Sequence, residues 1–208
     1  MKLKERIIQL YNAGTLDDSG LLKAISNGWL TVDEAATAAG DNSAELIKQA
    51  KLSEISAACN AKIVAGIDIK FGESSETVHF NLSIEDQSNI NNLFRVVELG
   101  GTEYPYQADG GVCRIYSAQE IAQIYLAAQT LITTQTTYHN TLKAYVQSLS
   151  DADDIKAVYY GMELPDEYAQ EMNSKLAVAQ QQMQDIVAKL SANVSNGTDG
   201  KVVDGETS

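Results

Sequence analysis

Two histidines, His79 and His139, are all the imidazole in this chain of 208 residues. Neither sits in a His-x-x-x-His or Cys-x-x-Cys arrangement, so no multi-histidine metal site is expected. His79 falls on the polar side of an alternating segment. His139, beside Tyr138 in a long helical stretch, is expected at a helix surface or interface and not in catalysis. A Ser-His-carboxylate triad assembles in space and not in sequence, but no Gly-x-Ser-x-Gly elbow supports one. Asp151, Asp153 and Asp154 form the densest acidic cluster. A calcium loop would need alternating oxygen ligands, a glycine at the sixth place and a distant glutamate; Lys156 holds that sixth place, so helix capping is the expectation. The glycine pairs at 100–101 and 110–111 lack the strand, helix and lysine of a phosphate loop and read as turns. Cys59 and Cys113 lie in apolar company without knuckle spacing and are expected to be buried free thiols. Asn81-Leu82-Ser83 matches a glycosylation triplet, but no secretory signal accompanies it. The expectation is therefore a non-enzyme with no catalytic residue, no cofactor and no metal.

The ten tyrosines are more informative. Tyr104, Tyr106 and Tyr116 cluster around one turn with Arg114, where amphipathic rings could build a contact surface or simply pack.

Composition narrows the partners. Fifteen basic against 28 acidic residues give a formal charge of -13, which repels phosphate backbones and anionic lipid alike. Nucleic acid is not an expected partner. A hydrophobic content of 44% with 21% charged residues is that of a chain that folds. The start lacks the unbroken apolar run and cleavage site of a signal peptide, and no apolar run approaches the roughly 20 residues of a membrane-spanning helix. A soluble protein is expected.

The elements follow from periodicity. Leu3, Ile7, Leu10 and Tyr11 share a helical face that stops at Gly14; a second short helix runs from about Asp17 to Asn27, with Gly28 after it; Thr31 to Glu34 is a capping box opening a third helix to Ala39. Trp29 is expected to be the largest core anchor of this unit. A longer helix carries Leu46, Ile47, Leu52, Ile55, Cys59 and Ile63 to about Ala65. The period then changes to two: Ile67, Ile69 and Phe71, then Val78, Phe80 and Leu82, predict a β-hairpin. Ser83 and Asp86 open a helix that stops at Gly100-Gly101. A second hairpin fits residues 102 to 116, with Pro105 marking an edge strand. Ser117 to Glu120 is another capping box, behind which helix is expected to Leu149. From Pro165 to about Ala192, Leu176, Ala179, Met183, Ile186 and Leu190 alternate spacings of three and four, a coiled-coil seam whose partner is either the helix of residues 117 to 149 or another subunit. The expected fold is α+β and predominantly helical: a small helical unit over 1–40, a helix with two β-hairpins over 41–116, long helices forming a hairpin or coiled coil over 117–192, and a tail over 193–208.

Two segments resemble proteins from the tail regions of phages and prophages of Gram-positive bacteria. Ile8-Gln9-Leu10-Tyr11 and Ala24-Ile25-Ser26-Asn27-Gly28-Trp29-Leu30-Thr31-Val32-Asp33-Glu34 are similar to the XkdX-type short tail proteins. His79 to Gln87, Tyr106 to Ala118 and Tyr160-Gly161-Met162-Glu163-Leu164-Pro165 are similar to an uncharacterised prophage domain found near tail-fibre genes. That pattern carries His where this chain has Gln107 and Glu where it has Gly111. The resemblance implies a structural role at a phage baseplate, distal tail or fibre attachment, in the virion after synthesis in the host cytoplasm. The implied partners are other tail, baseplate or fibre proteins and further copies of the chain. A tail-fibre assembly chaperone absent from the mature particle is the alternative, and an enzyme acting on cell-surface polymer a third reading without sequence support. The residues expected to carry contacts are Trp29, Tyr104, Tyr106, Arg114, Tyr116, Leu176, Met183, Ile186 and Leu190.

Overall fold

The computed structural model describes residues 2–73 and 76–197, the side chains of 190–197 excepted. It is a predominantly helical α+β fold with two separate two-stranded antiparallel sheets. In chain order the elements are α1 (Leu3–Asn12), α2 (Asp18–Ser26), α3 (Val32–Ala39), α4 (Ser43–Val64), β1 (Ile67–Ile69), β2 (Val78–Phe80), α5 (Ile84–Glu98), β3 (Glu103–Gln107), β4 (Cys113–Ser117), α6 (Ala118–Ser148), α7 (Ala152–Ala157) and α8 (Asp166–Gly197). Among the described residues no helix is long and apolar enough to cross a membrane.

Local chemistry sets most boundaries. Thr31 accepts from the Glu34 amide while the Glu34 carboxylate accepts from the Thr31 amide, satisfying two of the donors a helix start leaves orphaned. Ser83 with Asp86 and Ser117 with Glu120 repeat the device. Asp151 caps α7 through the amides of Asp153 and Asp154, so the acidic cluster is a helix start. The final helix runs to Gly197, five residues past its expected end at Ala192; the remaining tail residues, 198–208, lie outside those described.

The chain divides into two compact units. Among the described residues the first takes 2–62 and 135–172, and its core gathers Leu21, Leu30 and Ala35 with Ile55, Leu142, Val146 and Ile155, all at most 4% exposed. The three N-terminal helices thus share one core with α4 and the second half of α6, as expected of faces too small to be buried alone. Trp29 is not part of it. At 50% exposure it overturns the expected core anchor, because the turn at Gly28 rotates the chain. The amides of Trp29 and Leu30 both bond back to the Ala24 carbonyl, and it is Leu30 that points inward. Leu3 is also exposed.

Among the described residues the second unit takes 63–134 and 173–197. Its β1–β2 hairpin pairs Ile67 with Phe80 and Ile69 with Val78; its β3–β4 hairpin pairs Tyr104 with Tyr116 and Tyr106 with Arg114. Phe80, Tyr116, Ile90, Ile121 and Ile124 are 1% exposed each, and Phe94 stacks on Tyr125 at 3.9 Å between centroids.

Candidate protein-contact surfaces

The tyrosine hairpin has two unlike faces, as a period of two requires. One carries Tyr104, Tyr106, Arg114 and Tyr116. Tyr116 is buried, in edge contact with Phe80 at 6.0 Å and Phe71 at 5.7 Å, while Tyr106 stacks on Phe80 at 6.3 Å. The Arg114 guanidinium lies 4.0 Å from the Tyr116 ring centre and 4.9 Å from that of Phe71, and is held by Glu120 at 3.1 Å. Tyr116 is therefore a packing residue and Arg114 its lid, whereas Tyr104 stays 42% exposed. The opposite face carries Pro105, Cys113 and Ile115, all exposed. Cys113 corrects the expectation of two buried thiols: an odd, three-residue separation along the strand puts it on the face opposite Tyr116, and only Cys59 is buried. The Ala118 amide bonds the Thr102 carbonyl, so the even-numbered residues of β3 bond inward and the nitrogen of Pro105 faces outward, where no donor is lost.

The second surface belongs to α8. Leu126, Thr130 and Thr133 of α6 and Leu176, Met183 and Val187 of α8 line an open groove of about 660 Å³. The Thr130 hydroxyl donates to the Leu126 carbonyl at 2.7 Å, and its oxygen lies 3.2 Å from the Met183 Sδ across the groove. Leu176, Met183 and Ile186 remain half-buried, so α6 lies alongside the seam without closing it. The side chain of Leu190 lies outside those described.

One constellation escaped the sequence reading. His79 Nδ1 is 2.7 Å from Asp68 Oδ1 and its Nε2 is 3.2 Å from Asn81 Oδ1. The Asn81 amide donates to Asp109 Oδ2 at 2.6 Å, and the Asp109 amide donates to the His79 carbonyl. These bonds tie β2 to the turn after β3. The signal was present in the hairpin register, since pairing Ile67 with Phe80 sets Asp68 directly opposite His79. The hydrogen bond to Asp68 holds His79 above the ordinary imidazole value of 6.5, whereas burial, with Lys143 adding to it, holds His139 below. The signs therefore oppose. The contribution of His79 to stability is fully present below the unfolded pKa and is lost as pH rises through its folded one. That of His139 is lost as pH falls, because the unfolded state takes up the proton first. We expect two ring midpoints on either side of 6.5 in an NMR titration, with Asp68→Asn moving His79 down and leaving His139 in place. Coincident midpoints would contradict this geometry.

Among the described residues no group of three or more His, Cys, Asp or Glu side chains could hold a metal ion. Residues 46–159, more than half the chain, match the family described as Domain of unknown function (DUF4376). No curated protein and no solved structure matches the chain.

Proposed function

The chain belongs to the DUF4376 family, and from that premise and its open helical seam we propose that it works by docking to other polypeptides, as a structural component of a tailed-phage particle at the distal tail, baseplate or fibre attachment. The observation that carries the docking reading is the α8 groove. Leu176, Ala179, Met183 and Ile186 alternate spacings of three and four along one face of the helix, and such a face is stable in water only against another helix. Residues 176–184 contain no charged side chain, so pairing there brings no like charges into direct contact. A twofold pairing with the same segment of a second copy satisfies both faces at once. The phage setting is supported by the resemblance of residues 8–40 and 79–168 to tail-region proteins. The host cytoplasm is then the site of synthesis and the virion tail the destination. No catalysis belongs to this reading, and turnover of a substrate by the purified chain would overturn it.

Light scattering tests the seam. Met183→Glu with Ile186→Lys is expected to reduce the oligomer to a monomer with unchanged helix content by circular dichroism. An oligomer that survives the change removes the seam as a subunit contact. Mass spectrometry of purified particles tests the setting: fixed stoichiometry is expected of a structural component, whereas presence only on assembly intermediates would favour a tail-fibre chaperone.

A further inference from the structure

Four polar side chains without a hydrogen-bond partner among the described residues converge on one shallow concavity of the second unit. Asn89 and Asn92 lie one turn apart on α5, with Leu93 and Val96 completing the same i, i+3, i+4, i+7 stripe. Facing them are Tyr104 and Tyr106, two residues apart on β3 and so on one side of the strand. The six residues line an open space of about 280 Å³. Tyr106 is braced from behind by its stack on Phe80, and Tyr104 offers an exposed ring on the concavity that Asn89 and Asn92 also line.

The chemistry of the lining selects a ligand class. No cation lines the concavity, and Asp86 and Asp109 add negative potential at Tyr106, whose phenol is pushed up first by burial and then by these carboxylates. Anions are disfavoured. A purely apolar ligand would strip water from two amides and two phenols without replacing its hydrogen bonds. What satisfies both the rings and the amides is an uncharged molecule with a C–H face and a rim of hydroxyls. The volume sits at the small end of ligand sites, which limits the occupant to one ring. We propose that this concavity is a subsite for a single ring of a neutral saccharide, its C–H face on Tyr104 and its hydroxyls on the side-chain amides of Asn89 and Asn92. The site is independent of the α8 seam and stands or falls separately from it.

Chemical-shift titration of the full chain tests the assignment, with methyl α-glucoside and N-acetylglucosamine as neutral probes and N-acetylneuraminate as the charged control. A site this shallow is expected to bind in the millimolar range, with saturable shifts at Asn89, Asn92 and Tyr104 for at least one neutral sugar and a weaker response to neuraminate. Tyr104→Ala and Asn92→Ala, both at exposed positions, are expected to weaken binding by about tenfold; a loss in either folded variant supports the site. No saturable shift at these residues up to about 100 mM sugar, affinity unchanged in both variants, or neuraminate binding as tightly as the neutral sugars would each overturn it.

Discussion

Phe80→Ala is expected to destabilise the second unit by about 3–5 kcal/mol, the range for deleting a fully buried aromatic side chain. Phe80 is 1% exposed and is the ring on which the hairpins meet, with Phe71, Tyr106 and Tyr116 all within 6.3 Å between centroids. Its removal takes away the transfer free energy of a benzyl group and leaves three rings facing a void that a two-stranded ribbon has little means to close. The loss is to be read from urea unfolding followed by far-ultraviolet circular dichroism, beside Ile115→Ala as control. Ile115 is 61% exposed on the other face of β4, and its truncation is expected to change stability by no more than about 0.5 kcal/mol. Similar losses in the two variants would mean that the aromatic cluster is not the core of this unit.

That contrast shows where the sequence was legible and where it was not. Period-two alternation placed Phe80 on one side of its strand with Val78 because the pleat alone decides which residues share a face, whereas the burial of Tyr116, a contact candidate in the sequence, depends on the packing of one hairpin on the other. Capping boxes at Thr31, Ser83 and Ser117 and the stops at Gly14, Gly28 and Gly100 were equally readable, since each is completed within four residues. Which face turns inward is a different matter. Trp29 and Leu30 are adjacent and both apolar, and only the bonds of their amides to Ala24 decide that the smaller side chain is buried. Asn89 and Asn92 carry no local signal of a site; their relation to Tyr104 exists only once α5 and β3 are placed side by side. The groove of α8 lay between these cases. Its spacing announced a seam, while the degree to which α6 leaves it open depends on distances between helices that no local pattern encodes.

Gly66→Ala is expected to cost about 3 kcal/mol or more, although it adds a single methyl group. Gly66 follows α4 with φ +80°, a left-handed conformation that costs an L-residue roughly 1–2 kcal/mol. The greater part of the effect is steric. A Cβ built on Gly66 would lie 2.2 Å from the Phe80 carbonyl oxygen and 2.9 Å from the Asn81 Cα, and both are backbone atoms of the β1–β2 hairpin and the segment leaving it. They cannot swing aside as a side chain would. Relief requires moving Phe80, and with it the aromatic cluster, or opening the turn at which the Gly66 amide bonds the Ile63 carbonyl. Gly100→Ala separates the two causes. Gly100 also has a positive φ, +93°, but nothing lies within 4 Å of its added Cβ, so only the conformational cost of about 1 kcal/mol is expected there. Urea unfolding of both variants measures the difference. Equal losses would show that the hairpin does not approach the end of α4 as closely as described, and that the position of Phe80 is set by something other than this contact.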